Sequence, residues 1–301
     1  MKGITSRYAI LILLVLLAAI IASLIGCGRQ DNQTGGKMLV AASIAPLADF
    51  SKQVGGDLVH VEVLVPPGAS AHTYQLTPDQ MNLISNASVL VLNGINLEYW
   101  ADKAVDAADN SELIVIRTAE GLPTITSEDE HDHGGKNPHT WLNPVYAIRQ
   151  VEVIRDAFIK ADPSHKKEYT ANAEAYIVKL KQLDSDIRQQ IKTFSSKRFI
   201  AFHPAWVYFA QEYGLVQAAV IEESPGREPS PAEIRDIINT ARRLKAKAIF
   251  AEPQFSPKAA QVVADEVGAK VLYLDPHGKP PSYNYIETMH GNLAEISKAL
   301  K

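Results

Sequence analysis

The sequence contains a single cysteine, Cys27, among its 301 residues. An intrachain disulfide is therefore excluded, and so is a zinc finger or ribbon, because those sites draw their ligands from closely spaced pairs. Cys27 lies near the N-terminus, so the rest of the chain has no thiol with which to ligand a metal. The fold must gain its stability from a hydrophobic core, for which about 265 residues are ample.

Basic residues do not outnumber acidic ones. Lysine and arginine number 30 against 34 aspartates and glutamates, which gives a net charge of -4. A nucleic-acid-binding protein would carry a basic patch, so no nucleic-acid partner is expected. The zinc-hydrolase patterns HExxH and H-x-E with a later C-x-x-C are absent as well. We therefore predict that the chain is not an enzyme.

One long hydrophobic run occupies residues 8–25, after the positively charged Lys2 and Arg7. A charged start, an apolar stretch and small residues are typical of an export signal. A run of this length also fits an uncleaved membrane anchor.

The four residues that close this run, Leu-Ile-Gly-Cys at 24–27, resemble the bacterial lipoprotein signal. In that signal the chain is cut before the cysteine, which then carries the lipid. The resemblance implies a signal peptide at 1–26 and a lipidated Cys27. A polar, glycine-rich tether at 27–37 follows. It also implies an extracytoplasmic protein anchored to the cell membrane by its lipid, in a periplasm or on the outer face.

Short β-rich runs alternate with amphipathic helical segments from residue 38 onward. Such alternation favours parallel sheets covered by helices, and the near-continuous apolar runs fit buried strands. We predict an α/β fold with two lobes, 38–162 and 195–301, each a mainly parallel four-stranded sheet flanked by helices. The predicted strands are 38–43, 58–65, 88–93, 113–118, 198–202, 216–222, 248–251 and 270–274.

A different pattern separates the two predicted lobes. Apolar residues there recur every three or four positions, which is the spacing of one stripe along a helix. The stripe consists of Tyr176, Leu180, Leu183, Ile187, Ile191 and Phe194. We predict one long, rigid helix over 163–194 that packs along both lobes and connects them. Coiled-coil pairing is the alternative, for which the stripe is short.

Four potential metal ligands follow apolar runs or begin helices: His72, His139, His203 and Asp275. In open parallel sheets, ligands bind outside the carboxyl ends of the strands, and three of the four fall at such positions. Three imidazoles and a carboxylate suit a borderline divalent ion, zinc first. Taken singly, a histidine after a strand is more often an ordinary loop or core residue. Together the four predict a metal site between the lobes.

Two further features accompany these ligands. Glu252 follows the strand predicted at 248–251 and is a candidate for orienting a ligand histidine. A general base, a helix cap and a plain surface residue are the alternatives for Glu252. The segment 127–136 is acidic and carries His131 and His133. We predict an exposed loop there that contacts metal weakly as an auxiliary site, the alternative being a solvated linker.

The phrases around these residues resemble one family as a set. They are PPGASAHTYQLTPDQM with His72, NPHTWLNP with His139, AFHPAWVYFAQEYGL with His203, and SPGREPSPAEI, IFAEPQFSP and VLYLDPHG, the last with Asp275. Together they look like the cluster A-I (cluster 9) substrate-binding lipoproteins of bacterial metal ABC transporters, the ZnuA- and TroA-like proteins. The resemblance covers residues 39–300.

The resemblance implies a receptor that holds a metal in the cleft between two lobes and delivers it to a membrane permease with its ATPase. Histidine at position 203, where manganese-preferring members often carry glutamate, favours Zn²⁺ and leaves Mn²⁺ as the alternative. In some zinc members a water or another carboxylate replaces the aspartate, so Asp275 or a water completes the coordination. A surface adhesin on the same scaffold is a second alternative, and a monomer is expected.

Overall fold

Short strands and helices alternate along the chain, as the sequence predicts. The computed structural model describes residues 36–126, 135–224, 226–278 and 283–301. The predicted signal segment, the lipidation site Cys27 and the loop histidines His131 and His133 lie outside these ranges. No helix within the described ranges is long and apolar enough to span a bilayer.

Four apolar strands form a fully parallel sheet in the first half of the chain. They are β1 (Met38–Ala42), β2 (Val59–Val63), β3 (Val89–Leu92) and β4 (Ile114–Arg117), in the order β2-β1-β3-β4. Every residue of β3 is buried, because helices cover both faces of the sheet and leave no strand face for polar residues. We call this sheet and its helices the first lobe.

The helices of the first lobe begin at residues suited to that position. They are α1 (Ala45–Gly55), α2 (Pro78–Asn86), α3 (Ala101–Ala108) and α4 (Pro144–Ala161). Before α2, the Thr77 hydroxyl accepts a hydrogen bond from the Gln80 N–H and the Gln80 side chain accepts one from the Thr77 N–H. Helices α2 and α4 follow the segments that carry His72 and His139. Each starts with a proline, whose missing N–H costs nothing in the first turn.

One long helix, α5 (Lys166–Ile191), follows a short 3-10 turn at Pro163–His165. Its 26 residues span about 39 Å at the standard helical rise. All six residues of the predicted apolar stripe are buried, so the prediction of a long helix packed against the body is confirmed. The helix ends at Ile191 and not at the predicted residue 194, so Phe194 lies just beyond it.

Among the described residues the second lobe has the four predicted strands, but they are hydrogen-bonded as two parallel pairs and not as one four-stranded sheet. Strand β5 (Arg198–Ala201) pairs with β6 (Val216–Val220), and β7 (Ala248–Ala251) pairs with β8 (Lys270–Tyr273). Strands β5 and β7 are neighbours in space, and their side chains share one core. The helices of this lobe are α6 (Val207–Tyr213), α7 (Pro231–Leu244), α8 (Lys258–Val267) and α9 (Tyr285–Leu300).

One hydrophobic core spans both lobes, and each lobe also has a smaller core of its own. The core that spans both lobes contains Val91 of the first sheet, Leu180 of α5 and Phe250 of the second lobe. Buried hydrogen bonds add to this core, since the Trp141 indole N–H of the first lobe donates to the Pro276 carbonyl of the second at 2.8 Å. Close packing resists relative motion, so the two lobes hold the surface between them in a defined geometry.

Asp49 on α1 links this helix to α5 and α9 inside the core, so replacing it tests how much these contacts stabilise the fold. Its carboxylate, 3% exposed, accepts hydrogen bonds from the Tyr176 hydroxyl at 3.1 Å and the Tyr285 N–H at 2.9 Å. Asp49→Ala leaves two buried donors without acceptors, so we expect the free energy of unfolding to fall by about 3 kcal/mol. Urea denaturation measures the change. The exposed Asp57 provides the control, since Asp57→Ala should shift the same quantity by less than about 0.5 kcal/mol, and equal losses in both variants would contradict this role.

Candidate metal-binding site

The structure brings His72, His139 and His203 together between the lobes. The Nε2 atom of His139 lies 3.0 Å from the Nε2 atoms of both His72 and His203. One ligand atom from each ring lies within 4.8 Å of those from the other two. His139 and His203 are 3% and 2% exposed, whereas His72 is partly exposed. The group is thus buried on two sides and accessible beside His72.

Each histidine is carried by a segment that the fold positions. His72 lies in the loop between β2 and α2, and the Tyr99 hydroxyl holds that loop by donating to the Tyr74 carbonyl at 2.7 Å. His203 lies one residue beyond the end of β5, at the carboxyl end where ligands of parallel sheets bind.

His139 precedes the short turn Thr140–Leu142 and helix α4. Asn93, which follows β3 directly, holds this segment through hydrogen bonds of its side chain. Its amide nitrogen donates to the Pro138 carbonyl at 2.8 Å, and its amide oxygen accepts from the Thr140 hydroxyl at 3.1 Å. The loop that bears the central histidine is therefore tied to the first sheet.

Partners on the Nδ1 atoms determine which nitrogen of two rings presents a lone pair. Nδ1 of His203 lies 2.7 Å from an oxygen of Glu252, which is 1% exposed. Nδ1 of His139 lies 3.0 Å from the amide oxygen of Asn137. Both partners are acceptors, so in the neutral rings each Nδ1 carries the hydrogen and each Nε2 presents a lone pair.

Two such lone pairs at 3.0 Å would repel each other unless something positive lies between them. Four ligands around a tetrahedral zinc ion, with bonds of about 2.0–2.1 Å, are separated by roughly 3.4 Å. The spacing of the imidazole nitrogens is close to that value. The arrangement therefore has the donor chemistry and the dimensions for a divalent cation.

Asp275, the predicted fourth ligand, lies outside this histidine group, which contains no carboxylate among the residues that the structure describes. Its Oδ1 atom accepts hydrogen bonds from the N–H groups of His277 and Gly278, both at 3.0 Å, and from the Gln254 amide at 3.2 Å. The Asn292 amide oxygen accepts from the Asp275 N–H, and the Asn292 amide nitrogen donates to the Asp275 carbonyl. Asp275 thus builds the turn after β8, and its ligation of a metal stays a prediction.

Glu222 is a residue near the site that sequence reasoning missed. It lies just after β6 and is 8% exposed. Burial raises the pKa of its carboxyl, whereas a hydrogen bond from the Gly226 N–H and the nearby His203 oppose this rise in pKa. The signal for it was present in the sequence, because Glu222 ends its predicted strand just as Glu252 follows another.

His277 packs against the Trp141 ring, with 5.9 Å between the ring centroids. Burial lowers the pKa of His277 to about 4, and the neighbouring Asp275 carboxylate opposes that shift in pKa. His277 is therefore neutral at physiological pH.

The chain matches known metal-binding proteins in sequence. Residues 40–299 match the family model described as zinc-uptake complex component A, periplasmic (ZnuA). The zinc-binding lipoprotein AdcA of Streptococcus pneumoniae (strain ATCC BAA-255 / R6) is 33% identical over 304 residues, which cover 95% of this chain and 60% of AdcA. The chain therefore spans about three fifths of the length of that relative.

Other relatives match along almost their whole length. The high-affinity zinc uptake system protein ZnuA of Bacillus subtilis (strain 168) is 30% identical over 308 residues, covering 95% of this chain and 97% of the relative. The manganese-binding lipoprotein MntA of Halalkalibacterium halodurans is 28% identical over 289 residues, with 93% and 94% covered.

Solved structures share the fold. A crystal structure of ZnuA superposes with a TM-score of 0.81 at 33% identity and covers 87% of this chain and 99% of its own. The laminin binding protein Lmb of Streptococcus agalactiae, described as bifunctional with adhesin and metal transporting activity, gives a TM-score of 0.78 at 31% identity, with 88% and 100% covered. The family match includes all three histidine-bearing segments, and the chain belongs to the ZnuA family of zinc-uptake complex components.

Proposed function

We propose that this chain is a zinc receptor of an ABC-type metal importer, and that it holds the ion through His72, His139 and His203. The observation that supports this most is the convergence of three Nε2 atoms, two of them with lone pairs directed inward by Asn137 and Glu252. Zinc is the cargo, so the site must release it as well as bind it. The partial exposure of His72 provides a route for both steps.

The donor set is the argument for zinc over manganese. Imidazole nitrogen suits zinc, whereas manganese favours carboxylate, carbonyl and water oxygens. Of the three relatives described above, two are named for zinc and one for manganese, so manganese is the alternative cargo. We propose Asp275 as the fourth ligand, with a water in that position as the alternative.

The cellular setting is part of the same proposal. Residues 1–26 would direct export, Cys27 would carry the lipid, and 27–37 would tether the body to the membrane. Relatives named as lipoproteins support this. The segments 38–162, 163–194 and 195–301 would then form the two lobes and their connecting helix. A permease with its ATPase would receive the zinc from a monomeric receptor.

A catalytic role is not part of this proposal. Glu252, the candidate general base, is buried, and one of its oxygens is bonded to Nδ1 of His203. A base must reach a proton on the substrate or on a metal-bound water, and the contact with His203 supports an orienting role instead.

An additional adhesin role is a second candidate, because Lmb is described as bifunctional. Binding to immobilised matrix protein by zinc-free and zinc-loaded protein would test it. Binding that exceeds that of a denatured control would support the adhesin role, and its absence would exclude it.

Metal competition tests the proposed cargo. Protein stripped by a chelator is titrated calorimetrically with zinc, and then with zinc in the presence of excess manganese. We expect one zinc per chain, with an affinity that manganese changes little. Tighter binding of manganese than of zinc would overturn the assignment of zinc. Failure to bind either ion would overturn the receptor function itself.

Glu252→Gln provides a prediction about the environment of the third histidine. Glutamine keeps the shape of the side chain but loses the negative charge that strengthens the Nδ1–H bond and the basicity of Nε2. We expect zinc affinity to fall by about 10- to 100-fold, as is usual for partners of metal-bound histidines. Glu266 is exposed and pairs with Arg242, so Glu266→Gln is the matched control. Unchanged affinity in Glu252→Gln would show that the carboxylate does not act on the site.

A further inference from the structure

Asn137 lies between the segments that carry two of the histidines, and it is 3% exposed. Its amide oxygen accepts hydrogen bonds from both the backbone N–H and the ring Nδ1 of His139, each at 3.0 Å. Its amide nitrogen donates to the carbonyl of Pro204 at 2.6 Å. Pro204 follows His203, so the Asn137 side chain contacts both His139 and the residue next to His203.

The main chain of Asn137 is held from both lobes as well. Its N–H donates to the Ile125 carbonyl at 2.9 Å, and its carbonyl accepts from the Tyr208 hydroxyl at 2.6 Å. Tyr208 belongs to α6 of the second lobe. The position of Asn137 is therefore determined by neighbours other than the histidines.

The orientation of the amide follows from these partners. A backbone N–H can only donate and a backbone carbonyl can only accept, so the oxygen must face His139 and the nitrogen must face Pro204. The ring nitrogen of His139 that meets the amide oxygen must then carry the hydrogen. Nε2 of His139 is left as the lone-pair atom, directed at the other two rings.

We propose that Asn137 is a positioning residue whose two amide ends have separate tasks. The oxygen selects the tautomer and orientation of His139 that zinc requires, and the nitrogen fastens the His139 loop to the second lobe. The inference rests on the proposed zinc-binding function and adds a residue to it. It requires that zinc affinity depends on the acceptor end and that the stability of the metal-free protein depends on the donor end.

Two substitutions separate the ends. Asn137→Asp keeps an acceptor for His139 and removes the donor to Pro204, whereas Asn137→Ala removes both. We expect Asn137→Asp to retain nearly the zinc affinity of the unaltered protein, and Asn137→Ala to lose about 10- to 100-fold. The unfolding midpoint of the metal-free protein should fall in both variants, by at least about 2–4 °C.

Asn143 offers a matched control, because its amide nitrogen also bridges the lobes, to Glu212 at 3.2 Å. Its amide oxygen accepts from the Val145 N–H and not from a histidine. Asn143→Asp should therefore lower the unfolding midpoint with no change in zinc affinity.

Nitrogen-15 NMR of the metal-free protein reads the tautomer of His139 without any zinc. We expect the Nδ1–H form in the unaltered protein and in Asn137→Asp, and a loss of that preference in Asn137→Ala. Zinc affinity that falls equally in both Asn137 variants, or an Nε2–H tautomer in the unaltered protein, would overturn the inference. If the unaltered protein shows the Nδ1–H tautomer but binds no zinc, the proposed function fails while the positioning role of Asn137 stands.

Discussion

Replacing His139 with alanine is expected to reduce zinc affinity by about 100- to 1,000-fold. Structural zinc sites with four protein ligands have apparent binding free energies of about 10–16 kcal/mol, so each ligand contributes roughly 2.5–4 kcal/mol. His139 is the central ring of the three, since its Nε2 is the atom within 3.0 Å of both others. Its loss therefore removes a ligand and also the ring that lies against both His72 and His203.

Competition with a chromophoric zinc chelator measures this change for the purified protein. His60 is the matched control, because it is exposed on β2 and bonds to Glu62. His60→Ala should bind zinc as the unaltered protein does, and both variants should unfold cooperatively. Zinc affinity in His139→Ala within a few-fold of that in His60→Ala would mean that the ion binds elsewhere.

Acid is expected to release the bound zinc with a steep dependence on pH. Protons and zinc compete for the same imidazole lone pairs, so each ligand histidine that is protonated in the free protein adds one proton to the exchange. Three imidazole ligands set an upper limit of about 1,000-fold per pH unit on this loss of affinity. The change should be reversible on neutralisation, because the ligands are not altered chemically.

The number of protons exchanged per zinc tests this directly. Zinc affinity is measured at a series of pH values where far-UV circular dichroism shows the fold to be intact. The slope should lie between one and three in the unaltered protein and should be lower in His72→Ala. A slope near zero in the unaltered protein would contradict binding through imidazoles, and an unchanged slope in His72→Ala would exclude His72.

Much of this architecture can be predicted from the chain because the strands are short, apolar and regularly spaced. The fully buried β3 follows from a continuous apolar run, and the stripe along α5 follows from apolar residues spaced three to four positions apart. His203 and Glu252 could be placed at the site for the same reason, since each follows a strand and parallel strands end on one edge.

Other features depend on contacts between distant residues and have no local signature. The hydrogen bond between Trp141 and Pro276 joins residues 135 positions apart, and the one between Asn137 and Pro204 joins residues 67 apart. Neither can be inferred from periodicity. The division of the second lobe into two strand pairs is likewise a matter of packing geometry, because each strand is only four or five residues long.

Asp275 illustrates the limit of reasoning from residue type. A carboxylate after a strand is suited both to ligate a metal and to cap a turn, and the two roles look alike in sequence. In the structure Oδ1 of Asp275 accepts the N–H groups of His277 and Gly278, so at least one of its oxygens serves the turn.

Anomalous diffraction at the zinc absorption edge, from crystals of the zinc-loaded protein, tests the central claim most directly. We predict one peak, about 2.0–2.1 Å from the Nε2 atoms of His72, His139 and His203. A zinc peak bound to other residues, with the three rings left without an ion between them, would contradict the account.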